Sequence, residues 1–361
     1  MDMAALLNVS LDHAEGGAPV LATVVRVRGH AYRKEGASML FLPCGRRFGS
    51  ISGGCLEEDL QARTEAISAA GKHECITYNM RSQEDAIWGE AMGCGGELTI
   101  LLEPVTGELL HLLRFTQYRL AQGSGALLIR EWDDDSIAYT LTCVDDALLA
   151  GVREPSGKAS GAMGSVQSKV KVDASPRKAE ASARNSGYIA VRILPKPRLI
   201  LFGDGQDARA VAGLAEGIGF RVIIADWREG RGEGERVIGT AARIAAALQM
   251  HGGDYLLLCS HQLQRERELL ELVLPLGLRY IGVLGSRARI EQLFDGLERP
   301  SNVHAPVGIP IGADGPQEIA ISIAAQLIAV RGARESEGKR RAVPDENRSD
   351  LFGGRFQPAD G

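Results

Sequence analysis

No stretch of the 361-residue chain approaches the roughly 20 consecutive apolar residues that a membrane-spanning helix needs. An acidic Asp2 and the lack of a basic cluster beside it also argue against a secretory leader. Excess positive charge is missing as well: the formal net charge is -5, which removes the electrostatic basis for nucleic-acid binding. Paired cysteines are the third absence. The six cysteines (Cys44, Cys55, Cys75, Cys94, Cys143 and Cys259) include no C-x-x-C, so neither a zinc site nor a small disulfide scaffold fits, and reduced thiols are expected. These absences point to a cytoplasmic protein with no membrane or nucleic-acid partner.

The clearest positive signal is Leu199 to Arg228. An apolar strand, Leu199 to Phe202, runs into Gly203-Asp204-Gly205-Gln206-Asp207-Ala208, a G-x-G-x-x-A turn. Val211, Leu214, Ala215 and Ile218 follow at helical spacing, and a second strand ends on Asp226 about 20 residues after the turn, the pattern of a dinucleotide-binding unit. Gly203 permits a tight turn, Gly205 lets a phosphate approach the backbone, and the helix start offers an anion site. Asp226 stands where a ribose hydroxyl is accepted.

The N-terminal half reads as strands at Val20 to Val27 and Ser38 to Leu42 with a polar loop between them, in which His30 is read as solvated. Gly49-Ser50-Ile51-Ser52-Gly53-Gly54-Cys55 then leads into a helix ending at Gly71. Cys55 falls near the helix N-terminus, where the dipole favours thiolate, although Glu57, Glu58 and Asp59 oppose it. A second cysteine, Cys94, is enclosed by Gly93, Gly95 and Gly96. Glycine fills no core, so such a loop is expected to admit a ligand or another chain close to its backbone. Further strands at His73 to Asn79, Glu97 to Leu102, Gly125 to Arg130 and Ala138 to Cys143, with a helix from Val105 to Gln122, complete an α+β domain over 1–150. Residues 151–187 are rich in Ser, Ala, Gly, Lys and Arg and are expected to form a flexible insertion. A strand over 188–194 closes the first domain.

The second domain, 197–331, continues with a helix from Thr240 to Met250 and a strand from Tyr255 to Cys259 that is apolar at every position, as in a parallel sheet. Ser260 and His261 lie past its carboxyl end, facing the ligand crevice. Tyr280 to Leu284 is another strand, followed by Gly285-Ser286-Arg287-Ala288-Arg289 and a helix to Leu297. Backbone amides, the Ser286 hydroxyl and the guanidinium of Arg287 or Arg289 form a candidate phosphate clamp. A helix from Pro316 to Ala329 ends the domain, and 332–361 reads as a disordered tail. The predicted fold class is α/β: an N-terminal α+β domain followed by a Rossmann-like, doubly wound parallel sheet.

The two cysteine loops, the Tyr280 to Arg287 run (YIGVLGSR) and His304 to Gly312 followed by Pro316 to Ile323 closely resemble the xanthine dehydrogenase accessory factors, the XdhC/CoxI family. Where that family usually has Ser-Pro-Arg, this chain has Ala31-Tyr32-Arg33; its His-Asp pair is His261-Gln262 here, and a late Glu is Gln326. The resemblance implies a non-catalytic chaperone that binds molybdenum cofactor as molybdopterin or its dinucleotide, helps it receive a sulfido ligand from a cysteine desulfurase, and delivers it to the large subunit of a xanthine dehydrogenase-type molybdenum hydroxylase. It also implies a homodimer. In that reading Cys55, a soft sulfur donor, contacts molybdenum, with Cys94 sharing the task or shaping its loop. Gly203, Gly205, Asp226, His261, Ser286 and Arg287 hold the rest of the cofactor. The G-x-G turn also leaves open an NAD(P)-dependent oxidoreductase, and Cys55 with Cys94 a redox sensor.

Overall fold

The computed structural model describes residues 3–7, 17–80, 96–144, 186–229 and 234–341. Cys94 with residues 93 and 95, nearly all of the 151–187 insertion and the tail beyond 341 lie outside the described residues. The chain divides into two units between Pro195 and Lys196.

In the first unit, a helical turn α1 (Met3–Leu6) precedes strands β1 (Val20–Arg28), β2 (Ser38–Phe41) and β3 (Arg47–Gly49). Helix α2 (Glu57–Ala70), β4 (Glu74–Asn79), β5 (Glu97–Pro104) and α3 (Gly107–Ala121) follow, then β6 (Gly125–Trp132), β7 (Ile137–Val144) and β8 (Gly187–Ile193). The first five strands form one antiparallel sheet in the order β3-β2-β1-β5-β4, and the last three a second, β7-β6-β8. Alternation along β1 sends Val20, Ala22 and Val24 to one face with Leu56, Leu60 and Ile67 beside α2. Leu21 turns to the other face, where α1, α3 and the three-stranded sheet pack. Both faces of the larger sheet are therefore covered.

The second unit contains β9 (Arg198–Phe202), α4 (Gln206–Gly217), β10 (Arg221–Asp226), β11 (Glu235–Ile238), α5 (Ala241–Leu248), β12 (Tyr255–Leu258), α6 (Leu263–Val273), β13 (Tyr280–Val283), α7 (Arg287–Leu293), β14 (Val303–His304) and α8 (Gly315–Arg341). The six strands are parallel in the order β11-β10-β9-β12-β13-β14, the arrangement of a Rossmann sheet with its switch point between β9 and β12. Ile200, Phe202 and Ile223 bury one face under α5, α6 and α7. Leu199, Leu201 and Ile224 bury the other under α4 and α8. The fold class expected from sequence is thus the observed one.

Two short strands, β11 and β14, lie where the apolar pattern picks out no strand. Two helix ends also differ from expectation. Helix α7 stops at Leu293, not Leu297, and Gly296 beyond it adopts a left-handed conformation (φ 68°). Helix α8 continues past Ala329 through the first ten residues of the tail expected to be disordered. Those residues include Ala333, Glu335, Glu337, Lys339 and Arg340, good helix formers that prolong an existing helix without a new nucleation cost.

Candidate functional site

In the first unit, the segment between β3 and α2 is pinned by two buried apolar anchors, Ile51 and Leu56. Between them the chain turns through Ser52, Gly53, Gly54 and Cys55. Glu57, the first residue of α2, folds its buried carboxylate back over this turn. It accepts the N–H groups of Ile51 (3.2 Å), Ser52 (2.8 Å) and Leu56 (3.2 Å) and the Ser52 hydroxyl. The Ser52 oxygen in turn accepts from the N–H groups of Gly54 and Leu56, each at 3.2 Å. Burial pushes the Glu57 carboxyl up, but the Ser52 and Ile51 donors outweigh it and hold the group below the usual glutamate range. An ionised carboxylate therefore organises the loop.

Beside this turn lies an open cleft of about 330 Å³, lined by Tyr32, Arg47, Ser50, Gly53, Gly54 and Glu58 among others. A Cβ on Gly53 or Gly54 would meet nothing within 4 Å, so the cleft floor is bare backbone. Cys55 follows Gly54, is half-buried, and packs against the core formed with α2. The helix cap is Leu56, which leaves Cys55 outside the helix, and the Leu56 N–H goes to Glu57 and Ser52. Cys44, Cys55, Cys75, Cys143 and Cys259 are all free thiols.

Next to the undescribed Cys94, Gly96 is described. A Cβ there would lie 2.0 Å from the His30 carbonyl oxygen. At this position the backbone that needs the glycine is the chain's own, and the His30 residue is exposed.

In the second unit, Gly203, Gly205, Asp226, His261 and Ser286 all stand at the carboxyl edge of the parallel sheet. Gly203 has φ +127°, and an added Cβ would lie 2.7 Å from Ser260 Cα and 2.8 Å from the Cys259 carbonyl. Two strand ends meet there, so the glycine serves the fold itself. Gly205 caps α4 with an ordinary φ of -83° and open space around its would-be Cβ. No internal packing demands that glycine, and an anion has room to approach the amides of α4.

Asp226 is buried, and both its oxygens already accept hydrogen bonds. The Asp204 N–H reaches one at 3.1 Å, the Arg228 N–H the other at 2.9 Å, and the Arg228 guanidinium bridges both at 3.3 Å. Arg228 also lies over the Trp227 ring, as does Arg265. Asp204 accepts from Arg209 and Arg236.

His261 adopts a left-handed backbone (φ 58°), costly for a residue with a Cβ. Its Nε2 lies 3.4 Å from Asp207 in the first turn of α4, so the histidine is joined to the glycine turn. Its position is enforced by Glu266, a fully buried residue of α6 that accepts the N–H groups of Ser260 (2.8 Å) and His261 (3.1 Å) and the Ser260 hydroxyl (2.8 Å). Arg289 donates to the other Glu266 oxygen at 2.7 Å. Arg289, a candidate for a phosphate clamp on sequence grounds, is thereby committed to an internal ion pair. Ser286 accepts the Arg289 N–H at 3.4 Å, and both Ser286 and Arg287 are exposed.

Sequence reasoning missed Glu57 and Glu266. Each sits just inside a helix and clamps a serine at the end of the preceding segment, Ser52 and Ser260. The serine-to-glutamate spacing is five and six residues, longer than the three of a capping box. Among the described residues no group of three or more His, Cys, Asp or Glu is placed to hold a metal ion, and no helix is long and apolar enough to cross a membrane.

Comparison with known proteins fits both units. Residues 13–79 match the family model described as XdhC and CoxI family, and residues 199–327 the one described as XdhC Rossmann domain. A Bacillus subtilis protein named as a probable xanthine dehydrogenase subunit is 34% identical over 319 residues, 86% of this chain and 93% of the relative. The Escherichia coli molybdenum cofactor insertion chaperone PaoD is 27% identical over 331 residues, 89% of this chain and 86% of PaoD. A crystal structure named a xanthine dehydrogenase from Bacillus halodurans superposes with a TM-score of 0.76 at 30% identity, covering 95% of this chain and 98% of that one. Two matched domains in order and a relative of this identity along nearly its whole length establish that the chain belongs to the XdhC/CoxI family.

Proposed function

We propose that this chain is a molybdenum-cofactor chaperone. It binds the finished cofactor as cargo, supports its sulfuration by a cysteine desulfurase, and inserts it into the large subunit of a xanthine dehydrogenase-type molybdenum hydroxylase. The observation that carries the reading is kinship along 89% of the chain with a protein named as a molybdenum cofactor insertion chaperone. In this reading the protein is an accessory factor of the cytoplasm, acting as a homodimer, and no reaction is assigned to its own side chains.

The local chemistry supports a carrier. Cys55 is an unpaired thiol beside an open cleft, and a thiolate is a soft ligand suited to a sulfur-rich molybdenum centre. Cys94 is assigned the same task or the shaping of its loop. Gly205 leaves the start of α4 accessible to a phosphate, and the exposed Ser286 and Arg287 follow β13, which β12 separates from β9 along the same sheet edge. His261, Gly203 and Asp226 complete the assigned contacts, Asp226 toward a ribose where the cofactor carries a nucleotide.

The test is direct. The full chain, purified from a host that makes the cofactor, is expected to release a fluorescent pterin on oxidation, and Cys55→Ala to retain about tenfold less with its fold unchanged. The client hydroxylase from a deletion strain is expected to lack molybdenum or its sulfido ligand; a fully active client would overturn the proposal. The G-x-G turn also fits an NAD(P)-dependent oxidoreductase, but such an enzyme has no need of a glycine-floored cleft beside a free cysteine thiol. Calorimetric binding of NAD would favour that second reading.

A further inference from the structure

The cleft beside Gly53 carries a balance of groups that discriminates between parts of the proposed cargo. Tyr32 is 67% exposed and lines the cleft. Arg47 and Glu58 both line the cleft, both are exposed, and neither side chain makes a hydrogen bond or ion pair among the described residues. Glu57 also lines it, but its oxygens are already taken by four donors. The cleft therefore offers one free carboxylate, one free guanidinium and one aromatic face, around a floor of bare glycine backbone.

A phosphate is poorly served by such a site. Two carboxylates stand against one guanidinium, so a dianion would meet net repulsion. A flat heterocycle with adjacent N–H donors and a neighbouring carbonyl is served well. A carboxylate accepts two parallel N–H donors, a guanidinium donates to a carbonyl oxygen, and a phenol ring stacks on a planar face. The volume, about 330 Å³, lies at the lower end of the roughly 300–1,000 Å³ range of small-molecule sites.

Building on the proposed function, we infer that this cleft reads the 2-amino-4-oxopyrimidine edge of the cofactor's pterin, with Glu58 accepting from the 2-amino and N3–H groups, Arg47 donating to the 4-oxo oxygen, and Tyr32 covering the ring. The first unit then recognises the heterocycle, and Cys55, the residue after Gly54 in the cleft floor, lies near the ring system that bears the metal-binding sulfurs. Phosphate is left to other donors of the chain.

Free pterin (2-amino-4-oxopteridine) is fluorescent, and its binding to the cofactor-free full chain can be followed by anisotropy. Saturable binding is expected, weakened about tenfold or more by Glu58→Gln and by Tyr32→Ala, as loss of a charge-assisted hydrogen-bond pair or a stacking face predicts. Both side chains are exposed, so circular dichroism of the variants should match the parent. Inorganic phosphate at millimolar concentration should not displace the pterin. No binding of pterin to the parent chain, equal binding to both variants, or displacement by phosphate would each overturn the inference. Guanosine carries the same edge on a purine; tighter binding of guanosine than of pterin would overturn the assignment to pterin and give the cleft to a guanine nucleotide. Pterin binding in a chain that never retains molybdenum cofactor would leave this inference standing and refute the chaperone reading, so the two fail separately.

Discussion

At Gly203 an added methyl would press to 2.7 Å of Ser260 Cα, at a backbone angle (φ +127°) that L side chains rarely adopt. Two residues on, a methyl at Gly205 would meet open space at an ordinary φ of -83°. The same motif thus contains one glycine required by packing and one free of any internal requirement. Gly203→Ala is expected to destabilise the protein by about 3 kcal/mol or more, through steric overlap and backbone strain together. Gly205→Ala is expected to stay within about 1 kcal/mol, the reduced freedom of the unfolded chain offsetting a poorer helix cap. Urea unfolding of both variants checks this contrast. If a phosphate group of the cargo rests on the start of α4, Gly205→Ala should in addition retain less cofactor at nearly unchanged stability. Equal retention would remove Gly205 from the cargo's contacts. The spacing of the motif locates both glycines in the sequence; which strand end presses on Gly203 depends on β12 arriving from more than 50 residues away, and no local pattern contains that.

At the scale of strands and helices, legibility follows burial. β9, β12 and β13 are buried at nearly every position, so their apolar runs stand out in the sequence, and the alternation of strand and helix between them implies a parallel sheet. β11 is an edge strand whose Glu235 pairs with Arg221 at 2.8 Å and whose Arg236 pairs with Asp204 at 2.8 Å. Its charged residues find their partners on other segments, and a strand of four residues, two of them charged, is too short to give a periodic signal. The Glu57 and Glu266 clamps were hidden for a similar reason: their meaning depends on three-dimensional return of a side chain over a turn. The fully buried ion pair between Glu103 of β5 and Arg130 of β6 (Nε to Oε2 2.8 Å) was equally silent. It joins the five-stranded sheet to the three-stranded one. Removing one partner strands a charge in the core, so Arg130→Met alone is expected to cost about 3–5 kcal/mol, whereas Arg130→Met with Glu103→Leu should recover most of the loss. A double-mutant cycle by denaturant unfolding measures the coupling; additive losses would mean that the pair does not act as a unit.

For the whole molecule, the division between Pro195 and Lys196 separates two segments that each contain a sheet covered on both faces. In the second, every strand of the six-stranded sheet comes from one uninterrupted stretch of chain, from Arg198 to His304. The helices that bury its two faces, α5, α6 and α7 on one side and α4 and α8 on the other, lie within or directly after that stretch. Its buried charges are also matched internally: Arg198 donates two 2.7 Å bonds to Asp254, and Arg289 one to Glu266. A unit that owns both its apolar core and the partners of its buried carboxylates meets the physical requirements for folding alone. Residues 196–341 expressed by themselves are therefore expected to give a single cooperative thermal transition and slow amide exchange in β9, β10, β12 and β13. In that fragment Gly203→Ala should lower the transition temperature and Gly205→Ala should not. A fragment that melts without cooperativity, or exchanges those amides rapidly, would show that the second unit depends on residues outside it for its core.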